Sequence, residues 1–459
     1  MAAIALAATC FLLSLIIDPV PRFHLEDSAD FLLPGFSRVR SWTYGTAISF
    51  LISATGRLAS VPVAQIILTW CSFAAFLTAV TRATYLKCPL LFVFLVVGCC
   101  EPLAYYWSHA IMADSVARAA FALVCAVLLM PLRPRLRFAL VFLAALVLIS
   151  FRVVYFPALA AAAAVAVAWQ IWRRRNDAVF RPVALAAILS ANLGYACANT
   201  LVTQSRVLST NISDMDFLVG ALSPLMGDEL GNTPLTPAER SRLLPLVYEN
   251  RLGNTFNPHG LVPLILSHFS SIEKARLLMR QLVVDSVRRH PAGFVRLVLR
   301  QWGDYLNPVL VIRSQEAGRM SGAVAAFRND RSVILPDSVV AVLRQWHVRP
   351  AANPDLPSQA SPALTYLEEA GGVWSLVLAY YATFSLLFVA AMPARCRTPF
   401  LVFINSFAFL YLMSIAIGAN ELVSRYLLPL DVPLAYTIAV ALDCARRRDC
   451  SPAPGKSEL

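Results

Sequence analysis

The chain has 459 residues, 58% of them hydrophobic and 14% charged, with a mean hydropathy of +0.64; soluble domains carry roughly 45–50% apolar and about 25% charged residues. That balance excludes an ordinary soluble domain and specifies a polytopic membrane protein, an all-α bundle of spanning helices plus whatever soluble insert the polar stretches build. The formal net charge of +12 would suit nucleic acid, but the basic residues gather in short loops between apolar runs, which removes that partner.

Ten spans are predicted, at about 3–17, 61–80, 89–106, 114–131, 138–151, 154–172, 183–204, 373–392, 399–417 and 427–444. The first lacks a basic n-region and is followed by Asp18-Pro19 rather than a small-residue cleavage site, so it is read as a helix and not a signal peptide. After it comes "FHLEDSADFL", which places Glu26, Asp27 and Asp30 just beyond a membrane segment. In a helix these acids would share a face at i,i+3 and i,i+4 and repel by a few tenths of a kcal/mol per pair, roughly, so local stability does not explain them. "RSWTYGTAISFLISATGRLAS" follows, broken by Gly45, Gly56 and Arg57, and suits a helix lying in the interface better than a crossing. Arg152 divides the 138–151 and 154–172 pair.

Basic residues fall on alternate loops: Arg82 and Lys87; Arg133, Arg135 and Arg137; Arg173, Arg174, Arg175 and Arg181; Arg395 and Arg397; Arg446, Arg447 and Arg448. The positive-inside rule makes these loops cytoplasmic, with both termini inside and Glu26, Asp27 and Asp30 outside. The expected organisation is an N-terminal membrane module over 1–204, with its first external loop at 18–60, an external domain over 205–372, three C-terminal spans over 373–445 and a cytoplasmic tail over 446–459. The external segment holds none of the ten cysteines. Cys71, Cys99, Cys100, Cys125 and Cys197 show no metal-ligand spacing and read as small core residues. Within the insert, "SSIEKARLLMRQLVVDSVRRHPAGFVRLVLRQWGDYLNP" has helical periodicity in two helices separated by Pro291. The "NIS" at Asn211 is a weak sequon, and the alanine- and arginine-rich style points to a bacterial inner membrane.

An ionisable group at helix depth costs roughly 2.5–3.5 kcal/mol and tends to line a cavity. On or near the external side stand Arg22, Glu26, Asp27, Asp30, Arg38, Arg40, Arg57, His109, Asp114, Arg118, Arg152, Glu421 and Arg425. Carboxylates and arginines on one face are what an enzyme needs to hold an anionic lipid head group and deprotonate a hydroxyl.

Four stretches carry a resemblance: "EDSADFLLPG" followed by "WTYGTAISFLISATG", "SHAIMADSVARAAFAL", "VLISFRVVYFPALA" and "ELVSRYLLPLDVPLAY". In this arrangement the chain resembles the GT-C fold glycosyltransferases, similar to the protein O-mannosyltransferases and the lipid A aminoarabinose transferases. The likeness covers most of 1–200 and 373–445; the insert matches in position and in "RRHPAGFVRLVLRQWGDYLNP". It implies a sugar moved from a polyprenyl-phosphate donor to a hydroxyl on a glycan, lipid or protein acceptor, with inversion at the anomeric carbon.

By motif position the resemblance implies that Asp27 is the base on the acceptor, with Glu26 as its competitor because relatives carry Asp-Glu where this chain has Glu-Asp. Asp114 takes the second acidic position and Arg425 the place near the lipid phosphate. Asp30, His109, Arg118, Arg152, Glu421 and Tyr426 complete the expected substrate-binding set. No cofactor is firmly implied, although Glu26, Asp27 and Asp114 offer oxygens to a divalent cation.

Plainer roles stand beside each of these. Glu26 and Asp27 also suit a solvated loop, and Asp114 suits a first-turn acid favoured by the helix dipole. His109 beside Tyr105, Tyr106 and Trp107 fits an aromatic interfacial belt. Arg118 and Arg152 suit snorkelling, and Arg425 an i,i+4 pair with Glu421. The rival classes are a secondary transporter, which would place its charges near mid-span in related halves, and a non-catalytic membrane scaffold.

Overall fold

The computed structural model describes residues 2–17, 42–57, 60–83, 102–173, 182–203, 214–249, 261–269, 272–311, 362–418 and 424–449. It is an all-α polytopic membrane bundle carrying a helical insert, with no strand among the described residues. In the N-terminal part the helices are α1 (Ala2–Ile17), α2 (Trp42–Thr55), α3 (Ser60–Ala83), α4 (Pro102–His109), α5 (Ala113–Leu129), α6 (Pro134–Phe151), α7 (Tyr155–Trp172) and α8 (Pro182–Thr203). The insert contributes α9 (Asp214–Leu222), α10 (Pro237–Glu249), α11 (Leu261–Ser267), α12 (Ile272–Arg289) and α13 (Pro291–Leu306). The chain then returns through α14 (Pro362–Ala391), α15 (Pro399–Gly418), a 3-10 segment at Ser424–Leu430 and α16 (Asp431–Asp449).

Seven described helices are long and apolar enough to cross a bilayer. Two further predicted spans have a short described helix, α1 with 16 residues and α5 with 17. Of the span predicted at 89–106, only Pro102 onward is described. The predicted break at Arg152 is present, since α6 ends at Phe151 and α7 begins at Tyr155. Pro291 likewise separates α12 from α13, and α2 is a 14-residue helix ended by Gly56 at φ +65°. That left-handed residue is where glycine costs least, and its N–H closes back on the Ile52 carbonyl at 2.8 Å.

Proline at the first helical position starts α6, α8, α14 and α15, where the missing N–H is no loss. Arginines finish helices at the opposite end. Arg137 donates to the Met130 carbonyl at 3.0 Å, and Arg397 to the carbonyls of Met392 and Ala390 at 2.7 and 2.6 Å. These loop cations therefore also satisfy carbonyls that a helix terminus leaves open.

Helices in lipid gain little from the hydrophobic effect between themselves, so close approach and hydrogen bonds hold them. Buried Ala158, Ala162 and Ala166 let α7 lie close along α15. An aromatic column joins α5, α7 and α15, with Phe121 and Phe407 stacked at 4.2 Å and Tyr155 beside Tyr411 at 4.9 Å. Lower down, the Tyr381 hydroxyl donates to Asn405 Oδ1 at 3.0 Å and lies 2.9 Å from Thr437 Oγ1, tying α14, α15 and α16. Outward residues such as Val165, Leu193, Phe384 and Leu387 remain exposed, as a lipid-facing surface requires.

The cysteines depart from the expectation of uniform core burial. Cys10 and Cys125 are buried, but Cys71 and Cys197 are exposed on the outer surface of their spans. Cys396 and Cys444 form a disulfide between the α14–α15 connection and the last part of α16. Cys99 and Cys100 lie outside the described residues. A thiol is small and apolar enough to be stable against lipid as well as in a core, so hydropathy alone does not assign its side of a helix.

The insert has its own core, built from Val219, Leu222, Met226, Leu243, Ile265, Met279 and Leu282 among others. Helix α13 joins it to the bundle: Leu297 belongs to the insert core and Tyr305 to the bundle core. Trp302 Nε1 donates to Thr383 Oγ1 at 3.0 Å, and Tyr380 donates to the Leu306 carbonyl at 2.9 Å.

Candidate functional site

Extended backbone at Met112 (φ −146°, ψ 145°) turns the chain into α5, which places Asp114 in the first turn, where the helix dipole favours an acid. At the end of α6, Arg152 leaves the helix with φ −148° and ψ 91° before the turn at 153–154 starts α7. This departure swings its guanidinium across to Asp114, with Nη2 donating to Oδ2 at 2.5 Å. The pair is largely enclosed, at 18% side-chain exposure for Arg152 and 6% for Asp114.

One helical turn further along α5, Arg118 is fully buried and donates through Nε to Asp431 Oδ2 at 2.7 Å, with Nη2 on the same oxygen. Asp431 is also fully buried and opens α16. The guanidinium lies 5.2 Å from the Phe73 ring centre, so α3, α5 and α16 meet at this cation.

The 3-10 segment before α16 carries Arg425 and Tyr426. The Tyr426 ring is approached by two guanidiniums, Arg425 at 5.2 Å and Arg152 at 6.0 Å. Arg425 is 7% exposed. Tyrosines surround the group: Tyr155 and Tyr411 from the aromatic column, and Tyr44 from α2, all within electrostatic range of Asp114 and Arg152. Tyr44 donates to Gln65 Oε1 at 2.5 Å, and Gln65 donates to the carbonyls of Ser108 and Ala110. Helix α2 is held across the helix ends by Thr43 on the Ser150 carbonyl at 2.6 Å and Trp42 on Asn199 at 3.1 Å.

Of the sequence-predicted residues, Asp114, Arg118, Arg152, Arg425 and Tyr426 are thus brought together. Glu26, Asp27, Asp30 and Glu421 lie outside the described residues, and with them the suggested Arg425–Glu421 pair. His109 is occupied elsewhere. Its Nδ1 lies 2.6 Å from the Tyr105 carbonyl and its Nε2 2.8 Å from the Ser14 carbonyl, so the ring braces α4 against α1. Tyr105, Tyr106 and Trp107 are 2%, 5% and 4% exposed, interior residues and not an outward belt.

Sequence reasoning missed Asp431, Tyr44 and Tyr155. Asp431 had a signal, an acid beside the last apolar run in "PLDVP". The tyrosines had none, because an aromatic residue at a span end is commonplace.

The cluster holds three arginines and two aspartates where spans end on one side of the bundle, a composition that can bind a phosphate through charge-assisted hydrogen bonds. Among the described residues no group of three or more His, Cys, Asp or Glu is placed to hold a metal. A concavity of about 670 Å³ on the insert, lined by Pro237, Arg240, Ser241, Leu244 and Pro245, shares no residue with the cluster.

No protein-family model matches the chain, and no curated protein matches it. Among solved structures it is similar to the crystal structure of ArnT from Cupriavidus metallidurans bound to undecaprenyl phosphate, at 13% identity over 98% of this chain and 78% of that one, with a TM-score of 0.32. At that score the likeness gives no residue-level correspondence.

Proposed function

We propose that the protein is a membrane glycosyltransferase that moves a sugar from a polyprenyl-phosphate donor to an acceptor hydroxyl on the external face. The observation that carries this reading is the meeting of Asp114, Arg152, Arg425 and Tyr426 where α5 begins, α6 ends and the 3-10 segment before α16 starts. The resemblance of the surrounding stretches to the GT-C enzymes supplies the chemistry. By the positive-inside rule this end is external, which in a bacterial inner membrane is the periplasmic side.

In this reaction the carboxylate of Asp27, or of Glu26, takes the acceptor proton. The hydroxyl oxygen attacks the anomeric carbon, the bond from that carbon to the phosphate oxygen breaks, and its electron pair leaves with the polyprenyl phosphate. Arg425 and Arg152 meet the charge that develops on the phosphate, where fixed donors act strongly because no solvent must reorganise. Asp114 holds the Arg152 fork at the right angle and is a positioning residue. Tyr426 orients both guanidiniums over its ring. Arg118, held on Asp431, stands behind the cluster, and the insert selects among glycan, lipid and protein acceptors. A transporter would place such charges near mid-span; here they stand at helix ends.

The test is transfer of radiolabelled sugar from a panel of polyprenyl-phosphate donors into membrane acceptors, at matched expression. Wild type is expected to transfer from at least one donor, and Asp27→Asn to lose transfer. Asp114→Asn is expected to slow it about 10–100-fold, as misplacing a positioned group does. Folded wild type that transfers from no donor, or Asp27→Asn and Glu26→Gln both transferring at the wild-type rate, would overturn the proposal.

A further inference from the structure

Helix α13 is buried on one face only. Leu297, Val298, Gln301 and Tyr305 face the two cores, while Val295 and Leu299 are 54% and 55% exposed. At about 100° per residue, Val295, Leu299 and the half-buried Leu306 fall within roughly 40° of one another. Trp302 borders this apolar stripe on one side, and exposed Arg296 and Arg300 border it on the other.

The depth at which α13 packs determines what the stripe meets. Trp302 bonds Thr383 and lies edge-on to Phe409 at 5.8 Å. Thr383 is about 12 Å along α14 from its end at Ala391, and Phe409 about 15 Å along α15 from its start at Pro399, at 1.5 Å per residue. Both of those ends are cytoplasmic by the positive-inside rule, and a hydrocarbon core is about 30 Å thick, so Trp302 packs on the two spans within that thickness, near its middle. The stripe is also continuous with the outer face of α14, where Val373, Val377, Tyr380, Phe384 and Leu387 are exposed at alternating four- and three-residue spacing. Tyr380 on that face touches Leu306 directly.

Charge selects the kind of lipid. Residues 272–306 carry seven basic residues, Lys274, Arg276, Arg280, Arg288, Arg289, Arg296 and Arg300, against Glu273, Asp285 and Asp304. Asp304 stands one turn from Arg300 and neutralises part of its charge; Arg296 has no acid at the corresponding positions on its own helix. Long arginine side chains at the edge of an apolar stripe extend to the head-group level while their stems stay in the acyl region.

We infer that α13 enters the bilayer beside α14 and α15 and holds an anionic phospholipid, its acyl chain along Leu299 and Leu306 and its phosphate on Arg296, the arginine nearer the insert, with Arg300 extending toward the same head group. The site stands apart from the Asp114–Arg152–Arg425 cluster and does not rest on the transferase reading.

The full-length protein, reconstituted in bilayers of mixed phosphatidylglycerol and phosphatidylethanolamine, tests this with the photo-crosslinker p-benzoylphenylalanine in place of Leu299, of Val377 on α14 and of Leu244 on α10. Illumination is expected to give phospholipid adducts by intact mass spectrometry at positions 299 and 377 and none at 244. At 299, phosphatidylglycerol should exceed its share of the bilayer several-fold, and Arg296→Gln with Arg300→Gln should return it to that share. No adduct at 299 while 377 reacts would overturn the inference. Adducts at 299 that mirror the bilayer composition, or that carry the mass of a polyprenyl phosphate, would overturn the assignment of the ligand.

Discussion

Breaking the Arg118–Asp431 pair tests how the cluster end of the bundle is held. Both side chains have 0% exposure, and the guanidinium donates through two nitrogens to one carboxylate oxygen. Asp431→Asn keeps the shape but leaves Arg118 buried without its counter-charge. Removing one partner of a buried pair costs about 3–5 kcal/mol, because the remaining charge has lost its compensation and cannot regain water. The Phe73 ring 5.2 Å away contributes about 0.5–2 kcal/mol in either protein and so does not offset the difference. At roughly 2 °C per kcal/mol for a large chain, the melting temperature should fall about 6–10 °C. Arg118→Met alone should cost a similar amount, whereas Arg118→Met with Asp431→Leu should recover most of it, since an apolar pair of similar volume is often neutral. The assay is a double-mutant cycle by equilibrium unfolding in mixed micelles. Losses that add to within about 0.5 kcal/mol would show that the two residues do not act as a pair and would refute the reasoning.

A smaller pH effect is expected in the insert. The Thr236 backbone N–H and hydroxyl both donate to Glu239 Oε2 at 2.8 Å, and together with His268 they hold its carboxyl down at about 2 from an ordinary 4.5. A depressed carboxylate stabilises above its unfolded value and loses that contribution as pH falls from 4.5 towards 2; the protection factors of α10 amides, taken relative to the intrinsic exchange rate at each pH, should therefore fall on acidification in wild type, and Glu239→Gln should remove that fall. Within the spans, Tyr381→Phe deletes the hydroxyl shared by Asn405 and Thr437 and should cost about 0.6–1.7 kcal/mol by the same micelle assay. The lower end is favoured because Asn405 Nδ2 already donates to Thr437 Oγ1 at 3.0 Å and that bond survives.

Hydropathy, helix punctuation and the alternation of basic loops are local properties, and they made the bundle, the break at Arg152 and the insert legible in one dimension. The same patterning singled out Asp114, Arg118, Arg152 and Arg425 as costly charges needing a reason. Their partners were not legible. Arg152 finds Asp114 across 38 residues and Arg118 finds Asp431 across 313, and such distances are closed by helix crossings that side-chain volume decides, not by any sequence period. A snorkelling Arg118 and a fully buried one have the same sequence; only the arrival of Asp431 at the head of α16 makes burial affordable. Likewise the periodicity of α13 declared an amphipathic helix, while the contacts of Trp302 with α14 and α15 fixed its depth and turned an apolar stripe into a lipid-facing one.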